Sequence, residues 1–290
     1  MNTLKEWISW AEENKVAIGH FNVSTLEMFH GVLDGVRRAG DELGVTIPVC
    51  IGVSEGEREW MGTHQVSALV QSVKEGDIPV FQNADHTYSV EKVKEAIDAG
   101  FDMVIYDDAK GSYEDNVAKT KECVAYARAS GREVLVESEL GYIGSGSDLK
   151  DEVPEGTEAK TEPDDARKFV EDTEVDLLAP AVGNIHGMVK GGNPHIDPKR
   201  VAEIREAAGV PLVLHGGSGI SDEDFVAGIS AGISMVHIST ELRVAFREGL
   251  VWSLNEGQDI APYKYMKEGR DAVAEVVYKR VKLFMSNFKK

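Results

Sequence analysis

Short runs of apolar residues recur along the chain, and each is followed by a stretch with the period of an amphipathic helix. Near-continuous apolar strands are typical of a parallel sheet covered on both faces, and intervening helices of about 10 to 15 residues indicate parallel crossovers. Eight such units close most simply into a (β/α)8 barrel, with an open doubly wound sheet as the alternative. The eight runs begin near Ala17, Thr46, Pro79, Met103, Glu133, Val175, Pro211 and Ser234.

Capping residues support this alternation of strands and helices. Ser89 precedes an amphipathic stretch that ends at Gly100, and Ser221 precedes another whose first turn is acidic. Beyond the eighth unit, residues 268–288 predict one more amphipathic helix, which we expect to pack on the barrel or on a partner subunit. The pattern therefore predicts a single α/β domain over residues 1–290, a (β/α)8 TIM barrel with an additional C-terminal helix.

One connection, residues 142–162, is long and has few apolar residues. Connections of this length are usually functional or mobile. It leaves the C-terminal end of the fifth predicted strand, on the side where barrel enzymes carry their chemistry. We interpret it as a mobile lid, and the alternative is a tolerated surface insertion.

Polar residues interrupt the apolar runs where the predicted strands end. Because the C-terminal ends of barrel strands meet at one mouth, residues far apart in the chain are expected to share one site. These residues are Asn22, Ser54, Asp85, His86, Asp107, Glu139, Asn184, His186, His215, Gly216, Gly217, Ser218, Ser239 and Thr240.

Three histidines in this set, His86, His186 and His215, end the third, sixth and seventh strands. Three imidazoles that leave one coordination position open are a usual catalytic zinc arrangement. Their spacing is not a local metal motif, so a hydrogen-bonded core histidine is the alternative for each of them. His20 and His237 compete with them as ligands.

Carboxylates accompany these histidines. Asp85 directly precedes His86, so at a strand end one of the two can bind a metal while the other works as an acid or base. The alternative is that Asp85 only orients a histidine. Asp107 and Glu139 are expected to be hydrogen-bond partners of the ligands or alternative metal ligands.

Glycine-containing segments indicate an anion site at residues 186–192, at residues 215–219 and at the helix start after Ser239. Glycine lets backbone N–H groups approach an oxyanion closely, and the helix starts after strands seven and eight are the usual phosphate site of barrels. Lys190 is expected to add a positive charge. Phosphate is the predicted ligand, and ordinary turns are the alternative explanation for the glycines.

The charge balance narrows the range of partners. With 50 acidic and 31 basic residues the formal net charge is −19, which disfavours nucleic acid. Cys50 and Cys123 do not make a disulfide framework, and the sequence shows no pattern of a signal peptide or a membrane span, so we expect a cytoplasmic protein. Residues 148–174 carry 11 acids against four bases, and we expect these carboxylates to face outward around a mouth that attracts anions.

Several of these strings together resemble the metal-dependent class II fructose-bisphosphate aldolases. The strings are DH at 85–86, ELGYIG from Glu139, GNIHGMVKG from Gly183, LVLHGGSG from Leu212 and HISTE from His237, and the resemblance is collinear from Phe21 to about Glu241. It implies a (β/α)8 lyase that reversibly cleaves fructose 1,6-bisphosphate into dihydroxyacetone phosphate and glyceraldehyde 3-phosphate. It also implies one catalytic zinc ion per subunit that stabilises the enediolate, a monovalent cation, Na⁺ or K⁺, and a dimer or tetramer.

The resemblance implies roles for individual residues. His86, His186 and His215 would bind zinc, with Glu139 and Asp107 near positions used when the metal moves, and Asp85 would be the acid/base on the aldehyde oxygen. The residues implied in holding the ketose phosphate are Gly187, Lys190, Gly216, Gly217, Ser218, Ser239 and Thr240, with Asn22 and Ser54 close by. The monovalent cation would be coordinated by carbonyls around Gly187 and Gly216.

Two positions depart from the family pattern. Relatives carry an acidic lid residue that moves the ketose proton, where this chain has Ser147, and we expect the adjacent Asp148 to take that role. His237 stands where relatives have asparagine, and we expect it to contact the substrate. For the second phosphate, Lys264 and Arg270 are the candidates, reaching the site of a neighbouring subunit.

Alternative functions remain open at the level of sequence. A tagatose-bisphosphate or related ketose-phosphate aldolase would use the same residues. A lysine-imine aldolase would need Lys190 as its nucleophile, and Lys190 follows a glycine-rich turn instead of ending a buried strand. A non-catalytic sugar-phosphate-binding barrel would keep the phosphate site without turnover.

Overall fold

The computed structural model describes residues 3–108 and 110–289 and contains a closed barrel of eight parallel strands. Each strand pairs with its neighbours in the chain, and the first pairs with the last. The barrel prediction is confirmed and the open doubly wound sheet is excluded. The strands are β1 Ile18–Asn22, β2 Val49–Val53, β3 Val80–Thr87, β4 Met103–Tyr106, β5 Leu135–Leu140, β6 Leu177–Pro180, β7 Leu212–Leu214 and β8 Ile233–Ile238.

Helices lie between the strands, as the alternating pattern predicts. The side chain of Ser89 accepts a hydrogen bond from the backbone N–H of Lys92, and that of Ser221 from Asp224, so both predicted N-caps are confirmed. The helices are α1 Leu4–Asn14, α2 Leu26–Leu43, α3 Glu55–Met61, α4 Thr63–Gln71, α5 Val90–Ala99, α6 Tyr113–Ala129, α7 Pro163–Thr173, α8 Pro198–Ala208, α9 Asp222–Ala231, α10 Thr240–Glu256, α11 Pro262–Tyr265 and α12 Lys267–Phe284.

The predicted C-terminal helix is α12, which packs on α2 and α10 of the same chain. It begins close to the predicted start and ends at Phe284, a few residues before the predicted end. Two glycines of α2 allow close approach, because a Cβ on Gly31 would lie 2.7 Å from the carbonyl oxygen of Arg270 and one on Gly35 2.6 Å from that of Ala274. The helix therefore packs closely on the outer helices of the barrel and buries apolar side chains such as Val277 there.

The long connection at residues 142–162 has one short strand, Leu149–Lys150, which pairs with Met188–Val189 in a separate two-stranded parallel sheet. This pairing ties the segment to the loop that follows β6. Ten of the 11 acids at residues 148–174 are exposed and Asp172 is half-buried, so the outward orientation of these carboxylates is confirmed.

Two other expectations concern the cysteines and membranes. Cys50 and Cys123 are both buried and free. Across residues 3–108 and 110–289, no helix combines the length and apolar content needed to cross a membrane.

Candidate active site

Three histidines and one glutamate meet at the C-terminal mouth of the barrel. His86 is the second-last residue of β3, Glu139 is in β5, His186 follows β6 and His215 directly follows β7. One nitrogen or oxygen atom of each lies within 4.8 Å of the others. The structure thus brings together the three predicted ligands with Glu139, although the chain separates them by up to 129 positions.

The strand that carries His86 is irregular at that point. The register between β3 and β4 shifts between Ala84 and Thr87, and His86 has a positive φ of 29°. A non-glycine residue in this region costs about 1 to 3 kcal/mol, so the surroundings must hold it. The buried guanidinium of Arg58 does so by donating to the carbonyl oxygen of Asp85 at 3.1 Å and to Oγ1 of Thr87 at 2.7 Å.

Two carboxylates fix the orientation of the imidazole rings. Asp107 Oδ2 lies 2.9 Å from Nδ1 of His86, and Glu137 Oε1 lies 2.6 Å from Nε2 of His215. In each pair a neutral imidazole would donate from the nitrogen that faces the carboxylate, so the other two nitrogens, Nε2 of His86 and Nδ1 of His215, would be the ones to bind a metal; they face the cluster and lie 3.2 Å apart. The position of Asp107 favours the expected role of partner to a ligand.

Glu137 was missed by sequence reasoning. The signal was present, because residues two apart on a strand point to the same face and Glu137 and Glu139 both lie in β5. Glu137 is fully buried, and burial raises the pKa of its carboxyl. Burial alone would lower the pKa of His215, but the carboxylate of Glu137 outweighs this and raises it.

The donor set fits a metal dication. Glu139 Oε2 is buried without a hydrogen-bond partner among the described residues, and it lies 3.5 Å from Nδ1 of His215 and 3.7 Å from Nε2 of His186. Burial opposes the charging of His86, but Asp85 and Asp107 outweigh it and raise its pKa to about 10. These carboxylates therefore favour positive charge at the cluster, and imidazole and carboxylate groups are zinc ligands.

Asp85 lies beside the cluster and is buried. Its Oδ2 accepts a hydrogen bond from Nδ2 of Asn22 at 2.9 Å, while Oδ1 has no hydrogen-bond partner among the described residues and lies 3.3 Å from Nδ1 of His237. Burial alone would raise its pKa, but the imidazoles of His86 and His237 outweigh this and hold the pKa well below its usual range. Asp85 is therefore a carboxylate at neutral pH, and it lines the cavity at the mouth.

The two competing histidines lie beside His215 inside the barrel. The rings of His20 and His237 stack with centroids 3.4 Å apart and planes 7° apart, and His237 stacks on His215 at 4.2 Å. Burial lowers the pKa of His20 to about 4 and, together with His20, holds that of His237 well below its usual range. His20 lies in the middle of β1, and neither ring belongs to the cluster of three histidines with Glu139.

A small inner pocket lies beside the cluster at the starts of the loops after β7 and β8. Its lining includes Gly187, Gly216, Ser218, His237, Ser239 and Thr240, which are predicted substrate-binding residues. A Cβ on Gly216 would lie 2.1 Å from the carbonyl oxygen of Ile185, so only glycine permits this approach. Ser239 Oγ is buried without a hydrogen-bond partner among the described residues, which leaves a hydroxyl donor for a ligand.

The structure places some predicted residues elsewhere. Lys190 is exposed, pairs with Asp151 and lines neither pocket at the mouth. Asp148 is also exposed, whereas Ser147 lines both pockets, so the residue at the family's lid position faces the site and its acidic neighbour does not. A lysine or aspartate in a loop is placed by its local backbone and its ion pairs, which residue spacing does not reveal.

The two cations predicted near a second phosphate lie outside the pockets of their own subunit, and their reach into a neighbouring subunit stays a prediction. Lys264 pairs with Asp259 and Arg270 pairs with Asp34, and neither lines the pockets of this subunit. Sequence reasoning missed Glu57 and Arg243, which form an ion pair at the mouth at 2.8 Å. The S-x-x-E pattern from Ser54 to Glu57 was a signal of a capping box, which the structure contains.

Replacing Glu137 by glutamine is expected to weaken metal binding by about 10- to 100-fold, because the neutral amide no longer fixes the His215 ring as a charged acceptor. Competition with a chromogenic chelator measures the affinity. Glu133→Gln, an exposed position just before the same strand, is the matched control and should leave the affinity unchanged. An unchanged affinity in Glu137→Gln would show that Glu137 does not orient a ligand.

Comparisons with known proteins place the chain among aldolases. The family described as fructose-bisphosphate aldolase class-II matches residues 2–289. The chain is 37% identical over 287 residues to the fructose-bisphosphate aldolase of Staphylococcus aureus, covering 97% of this chain and 96% of that protein. It is 36% identical over 292 residues to the fructose-bisphosphate aldolase of Geobacillus stearothermophilus, covering 99% and 98%.

A solved structure shows the same relationship. The crystal structure of the YdjI aldolase from Escherichia coli K12 matches with a TM-score of 0.81 and 33% identity, covering 98% of this chain and 97% of that one. The family match spans nearly the whole chain. The chain is therefore an aldolase, an aldehyde-lyase, and belongs to the class II fructose-bisphosphate aldolase family.

Proposed function

We propose that the protein reversibly cleaves fructose 1,6-bisphosphate to dihydroxyacetone phosphate and glyceraldehyde 3-phosphate, with zinc as its metal. The observation that carries this proposal is the cluster of His86, His186, His215 and Glu139 beside the buried Asp85. A tagatose bisphosphate or a related ketose phosphate is the alternative substrate, because the same groups serve either configuration at carbon four.

His86, His186 and His215 would hold the zinc ion, with Glu139 as a further ligand. When bound, zinc supplies Lewis-acid chemistry, polarising the ketose carbonyl and stabilising the negative charge that cleavage leaves on the ketone half. Asp107 and Glu137 hold the imidazole rings at His86 and His215 in the orientation that this requires.

Asp85 would move the proton of the aldehyde oxygen. In cleavage its carboxylate accepts the proton of the C4 hydroxyl while the C3–C4 bond breaks and the C4–O bond becomes a carbonyl. In condensation Asp85 returns that proton to the new alkoxide. The hydrogen bond from Asn22 holds the carboxylate in place for both directions.

The inner pocket would hold the phosphate of the ketone half. Its position at the helix start after β8 and the free hydroxyl of Ser239 support this placement. A monovalent cation near Gly187 and Gly216 and proton transfer by Asp148 stay predictions, and the latter needs residues 142–162 to bring that exposed side chain inward. The lid, the homo-oligomer and the cytoplasmic location also stay predictions.

The decisive experiment is an aldol cleavage assay of zinc-reconstituted protein on fructose and tagatose bisphosphates side by side. We expect faster cleavage of the fructose compound and loss of activity after exhaustive chelation, restored by zinc. Activity that survives chelation, with borohydride trapping the substrate on the chain, would indicate the lysine-imine reaction instead. Binding of both compounds without cleavage would indicate a sugar-phosphate sensor.

A further inference from the structure

The end of β3 presents two neighbouring side chains to the same space. Asp85 and His86 both line the cavity at the mouth, which has a volume of about 430 Å³, and both line the inner pocket beside it. Neighbours on a regular strand point to opposite faces, so a regular β3 could present only one of them. The positive φ of His86 and the register shift between Ala84 and Thr87 break this alternation. The reaction therefore depends on a local backbone conformation as well as on the two side chains.

The geometry assigns Arg58 the role of a positioning residue for this reaction: its guanidinium holds the backbone on both sides of His86, so that the metal ligand and the neighbouring acid/base Asp85 face one cavity. This inference rests on the proposed aldol reaction. It adds a residue that lines neither the cavity at the mouth nor the inner pocket and that acts only through the end of β3.

The hydrogen bonds of Arg58 join the ends of β2 and β3. Its Nη1 donates to the carbonyl oxygen of Val53 at 2.6 Å and to that of Asp85 at 3.1 Å, and its Nη2 donates to Oγ1 of Thr87 at 2.7 Å. Asp85 and Thr87 are the residues directly before and after His86. Arg58 therefore fixes both flanks of the irregular residue relative to the end of the neighbouring strand.

Burial and shape suit Arg58 to this role. Arg58 is 3% exposed, and none of these three hydrogen-bond partners is a carboxylate. Hydrogen bonds with a charged donor are stronger than neutral ones, and a buried guanidinium that lost them would be left at a high cost. The planar guanidinium also fixes its acceptors relative to one another, which the flexible ammonium of a lysine does not do.

Helix α3 holds the same segment at a second place. The helix begins with a capping box at Ser54, which fixes its first turn. Oε2 of Glu55 in that turn accepts a hydrogen bond from the backbone N–H of Tyr88 at 3.0 Å. Glu55 and Arg58 are three residues apart and lie on one face of the helix. Two side chains of α3 thus hold the end of β3, and Arg58 is the one whose donors reach both sides of His86.

A second cavity reaches Arg58 from outside the site. It lies between α3, α4 and α5, has a volume of about 310 Å³ and shares no lining residue with the cavity at the mouth. Shortening Arg58 would extend this cavity towards the three oxygens that the guanidinium now contacts. Its acidic lining favours the entry of a small cation. The lining residues are Glu55, Arg58, Glu59, Gly62, Thr63, Lys92 and Glu95.

The test measures kcat, KM and zinc affinity in Arg58→Ala with and without guanidinium. For cleavage of fructose 1,6-bisphosphate with zinc in excess we expect kcat to fall by about 10²-fold, the effect of a displacement of about 1 Å at the reacting groups. The KM should stay nearly unchanged, because Arg58 lines neither pocket. Zinc affinity should fall by about 10- to 100-fold. Guanidinium chloride below its unfolding concentration should restore part of kcat, and an equal concentration of sodium chloride should not.

Cobalt in place of zinc gives a measurement that does not depend on turnover. The visible absorption of bound Co²⁺ reports the number and arrangement of its ligands, because the geometry of a transition metal follows its donor set. We expect Arg58→Ala to change this spectrum, since His86 loses its fixed backbone, and guanidinium to shift it back towards that of the wild type.

Arg132→Ala is the matched control. Arg132 also donates to three backbone carbonyl oxygens, those of Ile97, Gly100 and Phe101, but it does so just before β4 begins, at the end of the barrel opposite the mouth. Its removal should lower stability and leave kcat and the cobalt spectrum unchanged. Arg58→Lys keeps the buried charge and carries the same test if the alanine variant does not fold. It should retain more of kcat than alanine does and should still change the spectrum.

A kcat at the wild-type value in Arg58→Ala, or in Arg58→Lys where alanine does not fold, would overturn the proposal. A loss of kcat that guanidinium does not restore, with an unchanged cobalt spectrum, would overturn it too, since Arg58 would then act on stability alone. A loss with an altered spectrum supports it. If the wild type cleaves no bisphosphate, the proposed function fails, while zinc affinity and the cobalt spectra still decide whether Arg58 positions His86.

Discussion

Asp85→Asn is expected to lower kcat/KM for the bisphosphate substrate by about 10²- to 10⁴-fold, the contribution of a general acid or base. The asparagine side chain has nearly the same shape and can still accept the hydrogen bond from Asn22, so the wall of the cavity should keep its structure. It has no carboxylate to take the proton of the C4 hydroxyl. Asp85 is outside the cluster of three histidines with Glu139, so the variant should still bind one zinc ion per chain.

The measurement combines a coupled cleavage assay with metal analysis of the dialysed protein. Asp108→Asn is the matched control, because Asp108 lines the same cavity but accepts from Lys119 and from the hydroxyl of Tyr106. It should keep most of its activity. Turnover of Asp85→Asn at the wild-type rate would remove Asp85 from the mechanism, and loss of zinc would reassign it as a metal ligand.

His215→Ala is expected to lose both zinc and turnover. The change removes one of three imidazoles and also the partner of the buried Glu137, so a carboxylate is left in the interior without its donor. Breaking a buried pair in this way typically costs about 3 to 5 kcal/mol, so the free energy of unfolding should fall as well. Metal analysis, the cleavage assay and urea unfolding measure the three effects.

His195→Ala is the control for this variant. His195 lies at the surface, between β6 and α8, and its Nδ1 is 2.8 Å from Oδ2 of Asp224. It should retain zinc, activity and stability. One equivalent of tightly bound zinc in folded His215→Ala would exclude His215 as a ligand and would point to a different donor set around Glu139.

The residues missed by sequence reasoning were missed for one physical reason, which is that their partners are distant in the chain. Glu137 and Arg58 are buried charged residues whose partners come from other strands, so their roles depend on which ring or carbonyl the barrel places opposite them. The Glu57–Arg243 pair joins residues 186 positions apart, and the sequence alone gives no distance between them. Ser54 and Glu57 form a local pattern that predicts a capping box but not its connection to the site.

The sequence by itself determined the barrel, its capped helices and the set of strand ends that carries His86, His186 and His215. Hydrophobic period and cap residues are local properties, and closure of eight parallel strands then brings the strand ends to one mouth. Only the tertiary structure decided which ring nitrogens face the cluster, that Ser147 and not Asp148 lines the cavity, and that Lys190 points away while Arg243 points in. Loop conformations and long charged side chains are fixed by partners distant in the chain, and those partners exist only once the barrel has closed.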